Sequence, residues 1–179
     1  MNDWLCKVLD EFKTQLFQFF CDPLTEADVV AHLYHLWHKT GATRGGWPHV
    51  NARLEGLKPL EHVDFAVGSV KEKRGRRRLE PTLIVEVKVL LKDFRPQAIQ
   101  TRIRKLKERD LAKLACIASS TQPEKYLLIV DEWGYFLPNP TTGGREKLTE
   151  LVNYRERSAP GVGIVLFEKQ DSNTIWTLY

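Results

Sequence analysis

Cysteine is scarce here and unpaired: Cys6, Cys21 and Cys116 lie far apart and none belongs to a C-x-x-C pair, which excludes a zinc ribbon, a dithiol redox motif and a disulfide framework. No apolar run reaches membrane-spanning length, and Asp10, Glu11 and Lys13 interrupt the apolar residues near the N-terminus, so neither an anchor nor a signal peptide is read. A glycine-rich phosphate loop, a Ser/His/Asp set and a cysteine nucleophile are missing too, which removes the commonest nucleotide-binding and covalent hydrolase classes. There is no internal repeat and no low-complexity tract. The expectation is a cytoplasmic protein with no membrane partner and no small-molecule cofactor.

What is present fits one globular unit. A chain of 179 residues with 42% apolar residues supports a single domain over 1–179 with a real core. The net charge of +4 is mild, but its distribution is not. Lys71 to Arg78 carries six cations against Glu72, and Arg102 to Lys113 carries six against Glu108 and Asp110. Two such segments suit a polyanion, and from charge alone they suit two solvated surfaces equally.

Hydrophobic spacing gives the order of elements. Trp4, Leu5, Val8, Leu9, Phe12 and Leu16 recur at helical intervals, so 1–22 reads as an N-terminal helix packed on the rest and ended by the turn at Asp22-Pro23. Thr25, with Asp28 three residues on, starts a second helix through Val29, Val30, Leu33, Leu36 and Trp37. Strand-like alternation follows around Val50, then over Val63 to Val67, and over Leu83 to Leu90 after a charged turn near Gly75. A basic helix runs from Pro96 to about Ala118, with a break expected near Asp110. A short strand at 126–130, a short helix at 146–157 and a hairpin within 160–179 complete an α/β fold: a central mixed sheet flanked by helices.

Glu86 and Lys88 are two apart on a strand, so they project from one face of an otherwise apolar run. An unpaired charge buried there is costly, so something must compensate. A hairpin symmetric about Gly75 sets Asp64 opposite Glu86, about 5 Å away backbone to backbone. Two facing carboxylates repel, and a hard divalent ion resolves the conflict; Mg²⁺ is typically held by one or two carboxylates plus waters. Lys88 beside such an ion would stabilise charge developing on a phosphate or position the attacking water. Glu26 lies at helical spacing before Val29, Val30 and Leu33 and so faces inward, although acids also favour helix N-termini for dipole reasons alone.

The segments His62-Val63-Asp64-Phe65-Ala66-Val67 and Leu83-Ile84-Val85-Glu86-Val87-Lys88 together resemble the split Asp…Glu-x-Lys signature of the PD-(D/E)XK, or restriction-endonuclease-like, superfamily. The likeness covers a core of about residues 25–130; Val63 stands where the family's usual proline precedes the Asp. It implies a nuclease that hydrolyses phosphodiester bonds in DNA with Mg²⁺ or Mn²⁺. Asp64, Glu86, the main-chain carbonyl of Val87 and Glu26 would serve the metal, and Lys88 would assist the water. Lys73, Arg74, Arg76, Arg77, Arg78, Arg102, Arg104 and Lys105 would grip the phosphate backbone. With no appended recognition domain, long-sequence specificity would need a homodimer or a larger complex. The rival reading is a catalytically inactive subunit of the same fold that binds nucleic acid or a protein.

Other features stay open. His32, His35 and His38 are spaced for a surface row rather than the i, i+4 pairs of zinc sites. Trp47 beside Gly45-Gly46 suits either stacking on a base or packing in the core. Gln97 and Gln100 suit substrate contact or plain solvent exposure. Asp110 opens a segment, Asp110 to Leu114, that recurs in the same superfamily and equally suits the cap of a restarted turn; no role is assigned to it.

Overall fold

The computed structural model describes residues 3–19, 25–41, 46–73, 75–90, 96–117, 121–138, 143–170 and 173–179. Their order is α1 (Asp3–Phe19), α2 (Glu26–Lys39), β1 (Trp47–Ala52), β2 (Val63–Lys73), β3 (Arg76–Leu90), α3 (Pro96–Lys105), a π-helical stretch (Leu106–Leu111), α4 (Ala112–Cys116), β4 (Glu124–Asp131), α5 (Gly144–Ser158), β5 (Val162–Gln170) and β6 (Asn173–Leu178). The strands form one six-stranded sheet in chain order. β1, β2 and β3 are antiparallel, β3, β4 and β5 are parallel, and β6 returns antiparallel to β5.

The sheet separates two apolar layers. On one face Leu5, Val8, Leu9 and Phe12 of α1 and Val29, Leu33, Leu36 and Trp37 of α2 pack on Phe65, Val67, Val85, Val87, Leu128, Val130 and Phe167. On the other, Ile103, Leu106, Leu111, Leu114, Leu148 and Leu151 pack on Ala66, Ile84, Leu127, Ile129, Ile164 and Leu166. Each such fully buried side chain contributes about 1.5–3 kcal/mol of transfer free energy. Coverage of both faces explains why β3 is buried from Leu83 to Leu90, where alternation with polar residues would otherwise be expected.

α2 begins as its sequence dictates: the Asp28 amide donates to Thr25 Oγ1 at 3.2 Å and the Thr25 amide donates to Asp28 Oδ2 at 2.9 Å. Two expectations need adjustment. The helix after Pro96 does not break near Asp110; it widens into the π-helical stretch and continues as α4. The short helix expected at 146–157 runs from Gly144 to Ser158.

The β2–β3 register is set by a bulge. From Lys73–Arg76 to Gly68–Pro81 the partners are one residue out of step with a hairpin centred on Gly75. An irregularity between Val67 and Gly68 takes up Thr82, and from Val67–Leu83 to Phe65–Val85 the strands run in the register that carries Asp64 toward Glu86. Gly68 makes this possible. A Cβ there would collide with the Glu80 carbonyl oxygen and stand 2.8 Å from Pro81 Cα.

Candidate metal and nucleic-acid site

Four groups converge on one ammonium. Lys88 Nζ lies 3.1 Å from Glu86 Oε1, 3.3 Å from Glu26 Oε2 and 3.6 Å from Asp64 Oδ2, and it donates to the Val87 carbonyl at 2.6 Å. Strand alternation places Asp64, Glu86 and Lys88 on the face covered by the π-helical stretch and α4. Glu26 arrives from α2, whose apolar stripe covers the opposite face, by standing in that helix's first turn. Burial pulls the Lys88 pKa down, but Glu86, Asp64, Glu26 and Asp110 together outweigh it, so the amine is held above its ordinary value and stays charged.

Each acid has a distinct setting. The Glu86 side chain is 2% exposed, with Lys88 on one oxygen and Lys113 Nζ 2.5 Å from the other. Asp64 is half-buried and its Oδ2 accepts the Val87 amide proton at 2.8 Å. Glu26 is the most open, with 41% of its side chain exposed. These settings grade from buried anchor to open mouth, as expected of a site that admits solvent or substrate from one side.

Two members come from the segment Asp110 to Leu114, to which the sequence assigns no role. Asp110, 2% exposed, sits in the π-helical stretch, and its pKa is pushed up to about 6, first by burial and then by the Glu86 charge, against the pull of Lys88, Arg109 and Lys113. Its Oδ1 has Arg109 Nε at 3.6 Å. Lys113 on α4 bridges Glu86 and the His62 carbonyl, to which it donates at 3.0 Å. The signal was available: Ile103, Leu106, Asp110, Leu114 and Ile117 form one helical stripe, with an acid where an apolar residue belongs.

Among the described residues, no group of three His, Cys, Asp or Glu side chains is arranged so that it could hold a metal ion. The chemistry of the donors around Lys88, oxygen throughout, is nonetheless the type that hard divalent ions take. Three carboxylates and a main-chain carbonyl are all oxygen ligands aimed at one point, and a cation, the Lys88 ammonium, already stands there. Lys88 would have to swing aside for an ion to take that position.

The basic residues divide in two. Arg76, Arg77 and Arg78 are exposed near the tip of the β2–β3 hairpin, with Arg78 paired to Glu55 at 3.0 Å; Arg74 and the side chain of Lys73 lie outside the described residues. The tip stands nine residues from Asp64 along β2, about 30 Å at the usual strand rise, and Arg78, opposite Lys71, stands about 23 Å away, so these cations cannot touch the phosphate next to the acids. On α3, Arg104 and Lys105 are exposed and Arg102 is half-buried, about 8–12 Å along the helix from Asp110.

The histidines make no metal triad: His32 lies against Phe12, and His38 lies between Tyr34 and Trp47. Trp47 is 64% exposed and so is not a core residue. Gln100 faces solvent, and the Gln97 side chain lies outside the described residues. No described helix is long and apolar enough to cross a membrane.

No family model matches the sequence, and no curated protein matches it. A solved structure of Pyrococcus furiosus SfsA in complex with Ca²⁺ is similar over 83% of this chain and 61% of that one, at 10% identity and a TM-score of 0.30. The chain thus spans less than two thirds of the length of that protein.

Proposed function

We propose that this chain is a divalent-metal-dependent nuclease. The observation that carries the reading is the convergence of Asp64, Glu86, Glu26 and the Val87 carbonyl on a single cation position, with an amine built into the same site. An apolar core gains nothing from burying Glu86 and Lys88; replacing such a pair with hydrophobic residues would generally be neutral or stabilising, so its presence asks for a task.

In this reading Glu86 and Asp64 hold the ion together with the Val87 carbonyl, and Glu26 binds it directly or through water. A bound Mg²⁺ or Mn²⁺ would supply polarisation of a phosphoryl oxygen and activation of a water. Lys113 keeps the buried Glu86 carboxylate fixed in orientation. The charge held on Lys88 favours a part as hydrogen-bond donor to the phosphate or to the attacking water over one as proton acceptor. Arg102, Arg104 and Lys105 would meet phosphates near the site, and the hairpin cations would meet phosphates about 23–30 Å away along a duplex.

Cleavage of end-labelled DNA in Mn²⁺ tests this. Wild type should cut, EDTA should abolish cutting, and Glu86→Gln and Lys88→Ala should each reduce the rate by at least about 10²-fold. Equal rates for wild type and Lys88→Ala would sink the proposal.

A further inference from the structure

α2 carries a second apolar stripe that meets the core only through the partly buried Val30. Val29, Leu33, Leu36 and Trp37 are buried, whereas Ala27, Val30, Ala31 and Tyr34, at helical spacing on an adjacent face, line an open groove with Val50 and Asn51 of β1. The groove measures about 460 Å³, and its remaining walls are Glu26 and Asp64, two of the carboxylates that surround Lys88. Ala27 and Ala31 leave room where larger residues would close the slot.

Aromatic rings continue from its mouth. The Tyr34 and His38 ring centroids are 4.8 Å apart, and His38 and Trp47 are 6.1 Å apart. Tyr34 is 40%, Trp47 64% and Val50 45% exposed, so large apolar side chains that face water gather beside this groove. Water-facing rings offer stacking planes, and the apolar walls of the slot offer a phosphate no partner.

We propose that this groove and its aromatic rim hold unpaired bases of the nucleic-acid substrate, so that the strand acted on is single-stranded next to the acid cluster. The inference rests on the nucleic-acid reading above. A duplex keeps its base faces stacked on one another, and only an unpaired base can offer one to Tyr34 or Trp47. Asn51, whose backbone has φ 49, adds an amide able to donate to or accept from a base edge.

The test is fluorescence anisotropy of a labelled oligothymidylate and of a blunt duplex of equal length, in EDTA so that no cutting occurs. Tyr34→Ala and Trp47→Ala should each weaken single-strand binding by at least about fivefold, the loss of one stacked base. Trp47→Phe should stay near wild type, and duplex binding should be unchanged in all three. Both positions face solvent, so thermal midpoints should stay close to wild type and separate lost stacking from lost folding. Equal weakening on duplex and single strand, no weakening on either, or no single-strand binding by wild type would each overturn the proposal. Metal-dependent cutting is read separately: its absence alongside ring-dependent binding would sink the nuclease reading and leave this one standing.

Discussion

Lys113 Nζ stands 2.5 Å from Glu86 Oε2, tying α4 to the centre of β3 across the sheet's covered face. Both side chains are buried, 9% and 2% exposed, so the pair is not a surface ion pair of negligible worth. Lys113→Met leaves the second Glu86 oxygen without its partner in a buried position. The expected loss is about 3 kcal/mol of unfolding free energy in urea titration at neutral pH. A loss below about 0.5 kcal/mol would mean that Glu86 is held by something else.

Lys88 makes the opposite kind of prediction. Its ammonium occupies the point where the acids and the Val87 carbonyl meet, so it competes with any ion for the same oxygens. Lys88→Ala should destabilise the metal-free protein by about 3–5 kcal/mol, because mutually repelling carboxylates lose their counter-charge. The same variant should bind Mn²⁺ more tightly than wild type in calorimetric titration and regain stability on metal addition, about 2.7 kcal/mol at a hundredfold excess over Kd. Weaker Mn²⁺ binding by the variant would show that the amine is not in the ion's place.

Much of this arrangement is legible in the sequence. The capping box at Thr25 and the strand pairing of β2 with β3 are local patterns and are found as read. Glu26, read as facing the core, instead has 41% of its side chain exposed in the first turn of α2, where it still comes within 3.3 Å of Lys88. Opposition of Asp64 to Glu86 was also anticipated, but for an incomplete reason: the hairpin pairs Lys73 with Arg76 and runs one residue out of step until Thr82 is bulged out. A bulge is fixed by backbone contact between Gly68 and the Glu80–Pro81 segment, which hydrophobic spacing does not reveal. Asp110 and Lys113 lie in a segment that stands out in the sequence without a role, because their importance depends on which strand the helix packs against. The role of the hairpin cations is narrowed because strand length, not charge, puts them about 23–30 Å from the acids.

Gly68 therefore carries a strong prediction. Gly68→Ala forces a Cβ against the Glu80 carbonyl and toward Pro81 Cα, backbone that cannot move without undoing the bulge. Stability should fall by about 3 kcal/mol or more, and metal affinity should fall with it, since a one-residue slip turns Asp64 to the other face. Calorimetry and Mn²⁺ titration on the same sample check both; an unchanged midpoint would remove the bulge from the account.

Asp131 sets a pH dependence away from the site. It ends β4 with Oδ2 accepting the Phe136 amide at 2.8 Å, and burial raises its pKa from 3.8 to about 6 despite that bond. The folded protein therefore keeps a proton that the unfolded chain has released, and this contribution to stability is lost as pH rises from about 4 to 6. Asp131→Asn, which preserves an acceptor for Phe136, should flatten that part of the profile and exceed wild-type stability at pH 7 by about 1–2 kcal/mol. Thermal midpoints across pH 4 to 8 measure it; parallel profiles would contradict the assignment.

The hairpin cations should affect affinity rather than chemistry. Replacing Arg76, Arg77 and Arg78 together with alanine should weaken duplex binding at low salt and reduce the slope of log affinity against log salt by about 2–3. The cleavage rate at saturation should hold, because the tip is remote from the acids. Steady-state cleavage with varied DNA distinguishes the two: a fall in kcat with KM unchanged would contradict the geometry.

Diffraction from crystals soaked in Mn²⁺ decides the central question most directly. The account predicts one anomalous peak bonded to the Asp64 and Glu86 carboxylates and the Val87 carbonyl, with Lys88 Nζ moved off the 2.6 Å contact it now makes with that carbonyl. A peak elsewhere, or none with Lys88 unmoved among the three acids, would contradict it.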